Sequence, residues 1–416
     1  MLSVIINAYA CSPGMGSEPG MAWNWCVNLA NYCKLYIITE GEFRDRIEAT
    51  LPSLPQGSNM HFYYNPVSEK IRKMCWNQGD WRFYKYYKRW QRETLEIAKA
   101  IIAEHHIDII HQLNMIGFRE PGYLWKIENI PFVWGPIGGL KQFPLNYSRS
   151  AGLKMRVFNT IKNYANIFQI KYGKRINNAL NRADILVSAI PDSYYAIKKY
   201  KGLESVIIPE TGCFISDDFK SDKTQYTKEG LQLIWVAKFD FRKQLDLALK
   251  TISRIKHLSN ISLHICGTGS DKQICYYRDL AKSLGIERNI IWHGDIAHEA
   301  VIDLMHHMDA FFFTSVSEDT STVVLEAISC QLPVICFNTC GMGFVINDNV
   351  GIKINLTTPK RSVEEFAQKI EYIYHHKDIL YQLAENCKQR QEELSWENKA
   401  KQMYNLYIKA IEKKYV

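Results

Sequence analysis

Two glutamates eight residues apart are the first side chains in this sequence whose spacing suggests chemistry. Glu318 lies in a polar turn, residues 314–320, which follows the apolar run 310–313, and Glu326 lies on the helix after that turn. A helix N-terminus favours an anion, whereas a carboxylate in the turn favours hydroxyl donors. A sugar nucleotide carries both groups and would satisfy both. The simpler interpretation is that Glu318 caps the helix and Glu326 is solvated.

The elements around these glutamates read as one βαβ unit. The run 310–313 is typical of a strand buried on both faces. Apolar residues recur at helical spacing over 323–328, and Pro333 ends the helix before a second buried run, 334–337. In such a unit the ligand lies at the turn after the first strand. The hydroxyl of Ser321 or Thr322 is expected to cap the helix.

The pattern S-x-x-E, seven residues, E-A, four residues, L-P-V-I over 315–335 resembles the signature of the family-four retaining glycosyltransferases, which have the GT-B fold. The resemblance implies that Glu318 contacts the donor sugar and Glu326 holds the ribose hydroxyls. The family turn usually reads E-G-F-G, whereas residues 318–321 read E-D-T-S. The change adds hydroxyl donors, and the resemblance makes three turn residues candidates for donor binding: Thr320, Ser321 and Thr322.

Two lysines, Lys238 and Lys243, occupy the turn after the apolar run 233–237. At this place the family has G-R-x-x-x-x-K-G, whose Arg and Lys clamp the donor diphosphate. Lysine in place of arginine keeps the charge but loses the bidentate fork. Two cations here would stabilise the phosphate that leaves. The resemblance thus makes Lys238, Lys243 and Glu318 the catalytic candidates, while solvation of surface lysines is the simpler alternative.

Glycine turns after two other predicted strands are candidate nucleotide contacts. Gly267 and Gly269 follow the strand 263–266, where the family has a G-x-G that faces the nucleotide. Gly16 and Ser17 lie in the loop after the first strand, which the family uses to contact donor phosphates and the acceptor. Glu18 is an acceptor-side candidate in the same loop.

Two further acceptor-side candidates lie at predicted strand ends in the first half. His111 ends the strand 107–112, either as a hydrogen-bonding group for the acceptor or as a buried histidine with a backbone partner. Gly138 lies in the W-G-P-I-G-G loop, 134–139, which looks like a loop of a bacterial polysaccharide-assembly branch of the family. The family's more usual histidine is missing from that loop, so no catalytic histidine is assigned there.

The length and the order of elements predict two α/β domains. A chain of 416 residues is too long for one ordinary core, and strands alternating with helices predict doubly wound parallel sheets. The family resemblance further implies a GT-B fold with two Rossmann-like domains facing across a cleft: an acceptor-side domain, 1–205, and a donor-binding domain, 206–399. A solvated connector is predicted at 216–228, and the resemblance implies that the last helix, about 400–416, crosses back to the first domain.

Charge is unevenly distributed and suggests an anionic partner. The net charge is +8, with eight Lys or Arg against two acidic residues in 69–92 and seven against none in 149–175. Both stretches interleave cations with aromatic residues, which is typical of helices that lie on anionic lipid headgroups. The alternative is that the apolar stripe of 153–172 packs on the sheet. No nucleic-acid-binding module is recognisable.

Together with these features, the resemblance implies a retaining glycosyltransferase that moves a sugar from a UDP- or GDP-linked donor to a glycan or lipid-linked acceptor in cell-surface polysaccharide synthesis, such as capsule, exopolysaccharide or lipopolysaccharide. No cofactor is expected, and no metal, because no Asp-x-Asp pair ends a strand. Eleven cysteines without a C-x-x-C pair favour a cytoplasmic protein, here peripheral at the inner face of the cell membrane. The alternatives are a GT-B-like nucleotide-sugar epimerase and a non-catalytic membrane-associated scaffold.

Overall fold

A computed structural model of the chain describes residues 1–77, 80–215, 226 and 229–415, without the side chains of 149, 150 and 415. The predicted connector 216–228 therefore lies outside the described residues, except for Tyr226. The chain divides into two compact units. The first unit comprises Met1–Leu140, Asn166–Thr211 and Trp396–Val416, and the second comprises Lys141–Ala165 and Gly212–Ser395.

The first unit is built on a parallel sheet in the order β3-β2-β1-β4-β5-β6-β7 among the described residues. Its strands are β1 (Leu2–Ala8), β2 (Cys33–Thr39), β3 (Met60–Tyr64), β4 (Ile109–Asn114), β5 (Phe132–Ile137), β6 (Ile185–Ser188) and β7 (Val206–Ile207). The helices up to this point are α1 (Ser17–Leu29), α2 (Arg44–Thr50), α3 (Glu69–Trp76), α4 (Phe83–Glu104), α5 (Gly152–Tyr172), α6 (Lys174–Arg182) and α7 (Pro191–Lys201).

The second unit is built on another parallel sheet, in the order β10-β9-β8-β11-β12-β13 within the described ranges. Its strands are β8 (Leu231–Val236), β9 (Ile261–Cys266), β10 (Ile290–Gly294), β11 (Ala310–Phe313), β12 (Val334–Phe337) and β13 (Gly351–Ile354). Its helices are α8 (Leu245–Ile255), α9 (Asp271–Ser283), α10 (His298–Met305), α11 (Thr322–Ser329), α12 (Cys340–Val345), α13 (Pro359–His375) and α14 (Lys377–Glu393). The two parallel α/β sheets agree with the predicted fold class.

The last helix, α15 (Trp396–Tyr415), packs in the first unit. Its buried residues include Trp396, Met403 and Tyr407, which join the core formed by β1, β2 and α1. The Trp396 ring meets the ring of Trp25 edge to face at 5.9 Å. Aromatic pairs of this kind stabilise a core beyond the area that they bury.

Some element boundaries differ from the sequence predictions. The strand that we assigned to the start of the second domain, β7, pairs with β6 in the first sheet, so the second unit resumes at Gly212. The predicted helix 153–183 is two helices separated at Gly173, where a Cβ would lie 2.6 Å from the carbonyl oxygen of Gln169. The predicted helical segment 363–415 is three helices, and Lys141–Ala165 belongs to the second unit.

Candidate active site

The turn that carries Glu318 follows β11 and is anchored to the loop after β8. The indole Nε1 of Trp235 donates to Thr314 Oγ1 at 3.0 Å, and that hydroxyl donates to the carbonyl of Lys243 at 2.8 Å. The backbone N–H of Val316 donates to the carbonyl of Arg242 at 3.0 Å. Since β8 and β11 are neighbours in a parallel sheet, their carboxyl ends bring these two loops together.

The two loops join the predicted phosphate-binding lysine to the predicted sugar-binding glutamate. Lys243 Nζ lies 2.8 Å from Glu318 Oε1, and both side chains are mostly buried, with 15% and 18% exposed. Ser315 Oγ donates to the same carboxylate oxygen at 2.9 Å. The ammonium also lies 5.1 Å from the ring centre of Phe313. A cation and an acid held this way can bind neighbouring parts of one charged, hydroxyl-bearing ligand.

The next residue of the turn, Asp319, forms a second lysine–carboxylate pair, which no sequence pattern had indicated. Lys141 Nζ lies 2.8 Å from Asp319 Oδ1, with 18% and 23% of the side chains exposed. Burial lowers the pKa of Lys141, but the carboxylates of Asp319 and Glu318 outweigh burial, so the pKa is raised above that of an ordinary lysine. No sequence spacing links the two residues, because Lys141 comes from the segment before α5.

The start of α11 differs from the prediction in one respect. Ser321 is the N-cap residue with extended backbone, but its side chain makes no capping hydrogen bond, so the predicted side-chain cap is wrong for Ser321. Thr322 is the first helical residue and is exposed, whereas Thr320 and Ser321 are buried. Glu326 Oε1 lies 3.2 Å from His298 Nε2 at the start of α10. No sequence pattern had indicated His298 as a partner of Glu326.

Lys238 is placed differently from Lys243. Its side chain is exposed, and within the described ranges it makes no hydrogen bond or ion pair with Glu318. Between the two lysines, the guanidinium of Arg242 pairs with Asp240 at 2.9 Å. The structure therefore brings one of the two predicted cations against the acid and leaves the other at the surface.

The glycines after β9 are required by packing. Gly267 has φ +138°, and a Cβ there would lie 1.9 Å from the carbonyl oxygen of Ala237. At Gly269 a Cβ would lie 2.8 Å from the Cβ of Phe239. The turn thus packs directly on the residues that follow β8. This close approach explains both glycines without a ligand, and their contact with a nucleotide stays a prediction.

The loop between β1 and α1 holds three predicted residues of the first unit. Gly16 and Ser17 are exposed, and Ser17 has the left-handed φ of 56°. Glu18 is partly buried, and its Oε1 accepts a hydrogen bond from the backbone N–H of Ile116 at 3.3 Å. Gly20 is buried, and a Cβ there would lie 1.6 Å from the carbonyl oxygen of Met15, so only glycine closes the loop. The loop is well anchored, and its ligand role stays a prediction.

The other two acceptor-side candidates are engaged within the first unit. His111 is fully buried, with Nε2 2.7 Å from the carbonyl oxygen of Gly135 and Nδ1 2.6 Å from the hydroxyl of Tyr407. A carbonyl only accepts, so Nε2 donates and Nδ1 accepts from the tyrosine. Burial lowers the pKa of His111 to about 4. This geometry supports the second interpretation, a buried histidine with a backbone partner. Gly138 is buried and donates its N–H to the carbonyl of Ile116 at 2.8 Å.

The usual distribution of residues on a surface helix is reversed on α5. Its inner face is polar: Asn159 and Asn166 are buried, and the amide of Asn163 exchanges hydrogen bonds with the backbone of Phe143 at 2.8 and 2.9 Å. Its outer face is apolar and more than half exposed at seven positions, Leu153, Val157, Phe158, Ile161, Tyr164, Phe168 and Tyr172, which we call the apolar face of α5. The alternative in which this stripe packs on the sheet is therefore wrong.

The other basic aromatic stretch, 69–92, is mixed; Gln78 and Gly79 lie outside the described residues. Phe83, Tyr87 and Trp90 are buried and pack around Tyr9. Trp76, Trp81 and Tyr84 are exposed at the surface. Three of its seven aromatic side chains are therefore buried in the core.

Three features of the described part of the chain limit other assignments. No helix there is both long and apolar enough for a membrane span. No group of three or more His, Cys, Asp or Glu side chains there is arranged to hold a metal ion. A cavity of about 830 Å³ lies in the second unit between α8, α9 and the start of α13, and Tyr147, Leu247 and Tyr276 line it. None of the predicted donor-binding residues lines this cavity.

Comparisons with known proteins agree with this architecture. Residues 216–393 match the family of glycosyl transferases group 1. The second unit belongs to the group 1 glycosyltransferases. The matched range contains Lys238, Lys243, Glu318 and Glu326, and the chain has the GT-B fold.

Curated relatives are distant and align over part of their length. An uncharacterized glycosyltransferase of Methanocaldococcus jannaschii is 24% identical over 182 residues, which cover 43% of this chain and 45% of the relative. A D-inositol 3-phosphate glycosyltransferase of Rhodococcus erythropolis is 28% identical over 132 residues, 32% of this chain and 29% of the relative. The aligned part is thus less than half of either relative.

Solved structures share the fold of this chain over nearly its whole length. Anabaena HepE in complex with UDP has a TM-score of 0.60 at 12% identity, with 98% of this chain and 99% of that chain covered. The lipopolysaccharide outer core galactosyltransferase WaaB, in its apo form, has a TM-score of 0.62 at 15% identity, with 98% and 99% covered. At these identities the comparison establishes the fold and nothing about the substrate.

Proposed function

We propose that the chain is a retaining glycosyltransferase that moves a sugar from a nucleotide-diphosphate sugar to a glycan or lipid-linked acceptor in cell-surface polysaccharide synthesis. The observation that carries the proposal is the contact between Lys243 and Glu318 in the turn before α11. Glu326 lies on α11, four residues after that helix begins at Thr322. This arrangement supports one binding site for a diphosphate, a sugar and a ribose in the group 1 domain.

In this proposal each charged group takes one part of the donor. Lys243 binds the diphosphate, and Lys238, at the surface of the same loop, turns toward it when the donor arrives. Glu318 accepts a hydrogen bond from a sugar hydroxyl, and Glu326 accepts from the ribose in place of His298. The complexes of HepE with UDP and with UDP-glucose support a UDP-linked donor, and GDP is the other candidate.

The chemistry that we propose is transfer on the front face of the sugar. The bond between the anomeric carbon and the phosphate oxygen breaks, and a bond to the acceptor oxygen forms on the same face, so the configuration is retained. The leaving phosphate takes the proton of the acceptor hydroxyl. Lys243 stabilises the charge that develops on that phosphate. Because the lysines neutralise the diphosphate, the proposed reaction needs no metal ion.

We also propose that the apolar face of α5 binds an anionic membrane surface, which would bring the enzyme to a lipid-linked acceptor from the cytoplasmic side. The residues 149–175 hold seven cations and no acid, and Lys154, Arg156 and Lys171 are exposed on α5. A second copy of the chain would bring like charges together, whereas anionic headgroups accept them. The exposed aromatic and aliphatic side chains suit the boundary between headgroups and acyl chains.

The test of the catalytic site compares two substitutions with a matched control. Lys243→Ala and Glu326→Ala should each weaken binding of UDP or GDP by roughly tenfold to a hundredfold in calorimetry, because a charge-assisted hydrogen bond to the nucleotide is lost. Sugar transfer to isolated membrane lipid or glycan should fall at least as far. Lys99→Ala removes a lysine of an exposed ion pair with Glu96 on α4 and should bind nucleotide like the wild type.

Unchanged nucleotide binding and transfer in both Lys243→Ala and Glu326→Ala would contradict the proposed site. An isomerised nucleotide sugar in the absence of any acceptor would instead indicate the epimerase alternative. If the wild-type protein binds no nucleotide at all, the non-catalytic scaffold is the remaining alternative.

A further inference from the structure

Consecutive residues of the donor turn carry two lysine–carboxylate pairs. Lys243 lies 2.8 Å from Glu318, and Lys141 lies 2.8 Å from Asp319. Fully exposed ion pairs contribute little to stability and often lose their geometry in solution. In both pairs here, less than a quarter of each side chain is exposed. The two ion pairs are therefore expected to keep their geometry in solution.

Both partners of the second pair are fixed by the fold of the second unit. The carbonyl of Asp319 accepts a hydrogen bond from the N–H of Gly341 at 3.0 Å. Lys141 precedes Tyr147, which is buried and whose hydroxyl lies 2.7 Å from Ser362 Oγ. The side-chain amide of Gln244 donates to the carbonyl of Tyr147 at 2.9 Å. The segment with Lys141 and the turn with Asp319 are thus each attached to the same sheet domain.

The carboxylate of Asp319 stands where the related family turn has glycine. Two neighbouring carboxylates in a mostly buried turn repel each other. Lys243 and Lys141 each lie against one of them and offset this repulsion. The ammonium of Lys141 has three N–H donors, and its pKa is raised by the adjoining carboxylates. The turn therefore presents two carboxylates, each in contact with its own lysine.

We propose that Asp319 is a second sugar-binding carboxylate beside Glu318 and that Lys141 positions it, so that this pair sets which donor sugar is accepted. The inference rests on the proposed function, because it assigns the sugar end of the same donor site. A carboxylate accepts hydrogen bonds from sugar hydroxyls and repels another carboxylate. The expected donor is therefore a neutral sugar with free hydroxyls, and a uronic acid is disfavoured.

The test measures the affinity for the nucleotide and for the nucleotide sugar separately. Wild type, Asp319→Asn, Asp319→Gly, Lys141→Met and Lys141→Arg are titrated calorimetrically with UDP, UDP-glucose, UDP-galactose and UDP-glucuronic acid, and with GDP and GDP-mannose. Asp319→Asn and Asp319→Gly should leave the affinity for the free nucleotide unchanged and should weaken binding of the preferred nucleotide sugar roughly tenfold. In wild type UDP-glucuronic acid should bind more weakly than UDP-glucose, and Asp319→Asn should narrow that difference.

The lysine variants show whether Lys141 acts through Asp319. Lys141→Met should reproduce the loss seen in Asp319→Asn, and the double variant should lose no more than either single variant, because both remove the same interaction. Lys141→Arg keeps the charge and should restore most of the affinity. A role of Lys141 in stability alone would weaken binding of the free nucleotide and of the nucleotide sugar alike.

Three outcomes separate the possibilities. A nucleotide sugar that binds equally well to wild type, Asp319→Gly and Lys141→Met overturns the inference and leaves the proposed function intact. Equal loss for the nucleotide and the nucleotide sugar also overturns it. A wild type that binds neither UDP nor GDP overturns both the proposed function and the inference.

Discussion

At the scale of single residues, the buried side chain of His111 provides the clearest link between protonation and stability. His111 is fully buried between β5 and α15, and its two ring nitrogens contact Gly135 and Tyr407. Burial lowers its pKa to about 4, whereas an exposed histidine in the unfolded chain has a pKa of about 6.5. The unfolded chain therefore binds more protons than the folded chain between these two values, so stability falls as the pH falls through that window.

We expect His111→Gln to flatten the dependence of stability on pH. The lowered pKa of His111 alone should reduce the free energy of unfolding of the wild type by about 3 kcal/mol as the pH falls from 6.5 to 4. The variant loses the hydrogen-bonding imidazole and is less stable at pH 7, but the difference from wild type should shrink toward pH 4. The urea concentration at the midpoint of unfolding, measured for both proteins from pH 4 to pH 7.5, tests this prediction. The stability of His106→Gln, a change at a side chain that is 88% exposed, should depend on pH as that of the wild type does. A difference in stability between His111→Gln and the wild type that stays constant with pH would contradict the lowered pKa of His111.

At the scale of elements, α5 is the helix whose composition best indicates a partner. Its asparagines face inward and its apolar face points outward, which is the opposite of a helix that covers a soluble core. The sequence showed the stripe and the cations but left its direction open, because a stripe at helical spacing fits either side. The side of the helix was decided by contacts with Phe143 and with the loop that carries Arg119, whose guanidinium donates to Gln169 at 2.5 Å.

Tyr164→Glu should weaken binding of the protein to anionic vesicles. A carboxylate at this position, where the tyrosine is 71% exposed, would be repelled by phosphatidylglycerol headgroups and would remove an apolar contact. Co-sedimentation with vesicles of phosphatidylcholine and phosphatidylglycerol should fall at least fivefold, by roughly 1 kcal/mol per changed charge. Tyr195→Glu, at a tyrosine that is 66% exposed on α7, is the matched control and should bind like wild type. A dimer in solution without lipid, abolished by Tyr164→Glu, would instead identify a second copy as the partner of this face.

At the scale of the whole molecule, the two units have separate sheets and cores, and α15 completes the core of the first unit from the far end of the sequence. Local patterns predicted the strands, the parallel sheets and the turn with Glu318, because each depends on neighbouring residues. The contact between Lys141 and Asp319 and the hydrogen bond of His111 to Tyr407 depend on residues far apart in the chain. Neither residue pattern nor spacing specifies such contacts.

Met403→Glu should disrupt the first unit while the second unit keeps its fold. Met403 is fully buried in the core beside α1, and an unpaired carboxylate there is strongly destabilising. Limited proteolysis with mass spectrometry should show early cleavage within 1–140 and 166–211 and late cleavage within 229–395. Gln402→Glu introduces the same charge at an exposed neighbour and should be cleaved like wild type. Equal early cleavage in both units of Met403→Glu would mean that they unfold together.

Gly341 has a consequence for anyone who re-engineers the donor turn. A Cβ at this residue would lie 2.5 Å from the carbonyl oxygen of Asp319 and 2.6 Å from Thr320 Oγ1, so α12 rests on the turn with no intervening side chain. If residues 318–321 were replaced by the turn of a relative, the new turn would pack against residues 340–341, which fit the atoms of the present turn. The smallest exchangeable module is therefore the turn together with residues 340–341, and libraries that vary the two segments jointly should yield more folded clones than libraries that vary the turn alone.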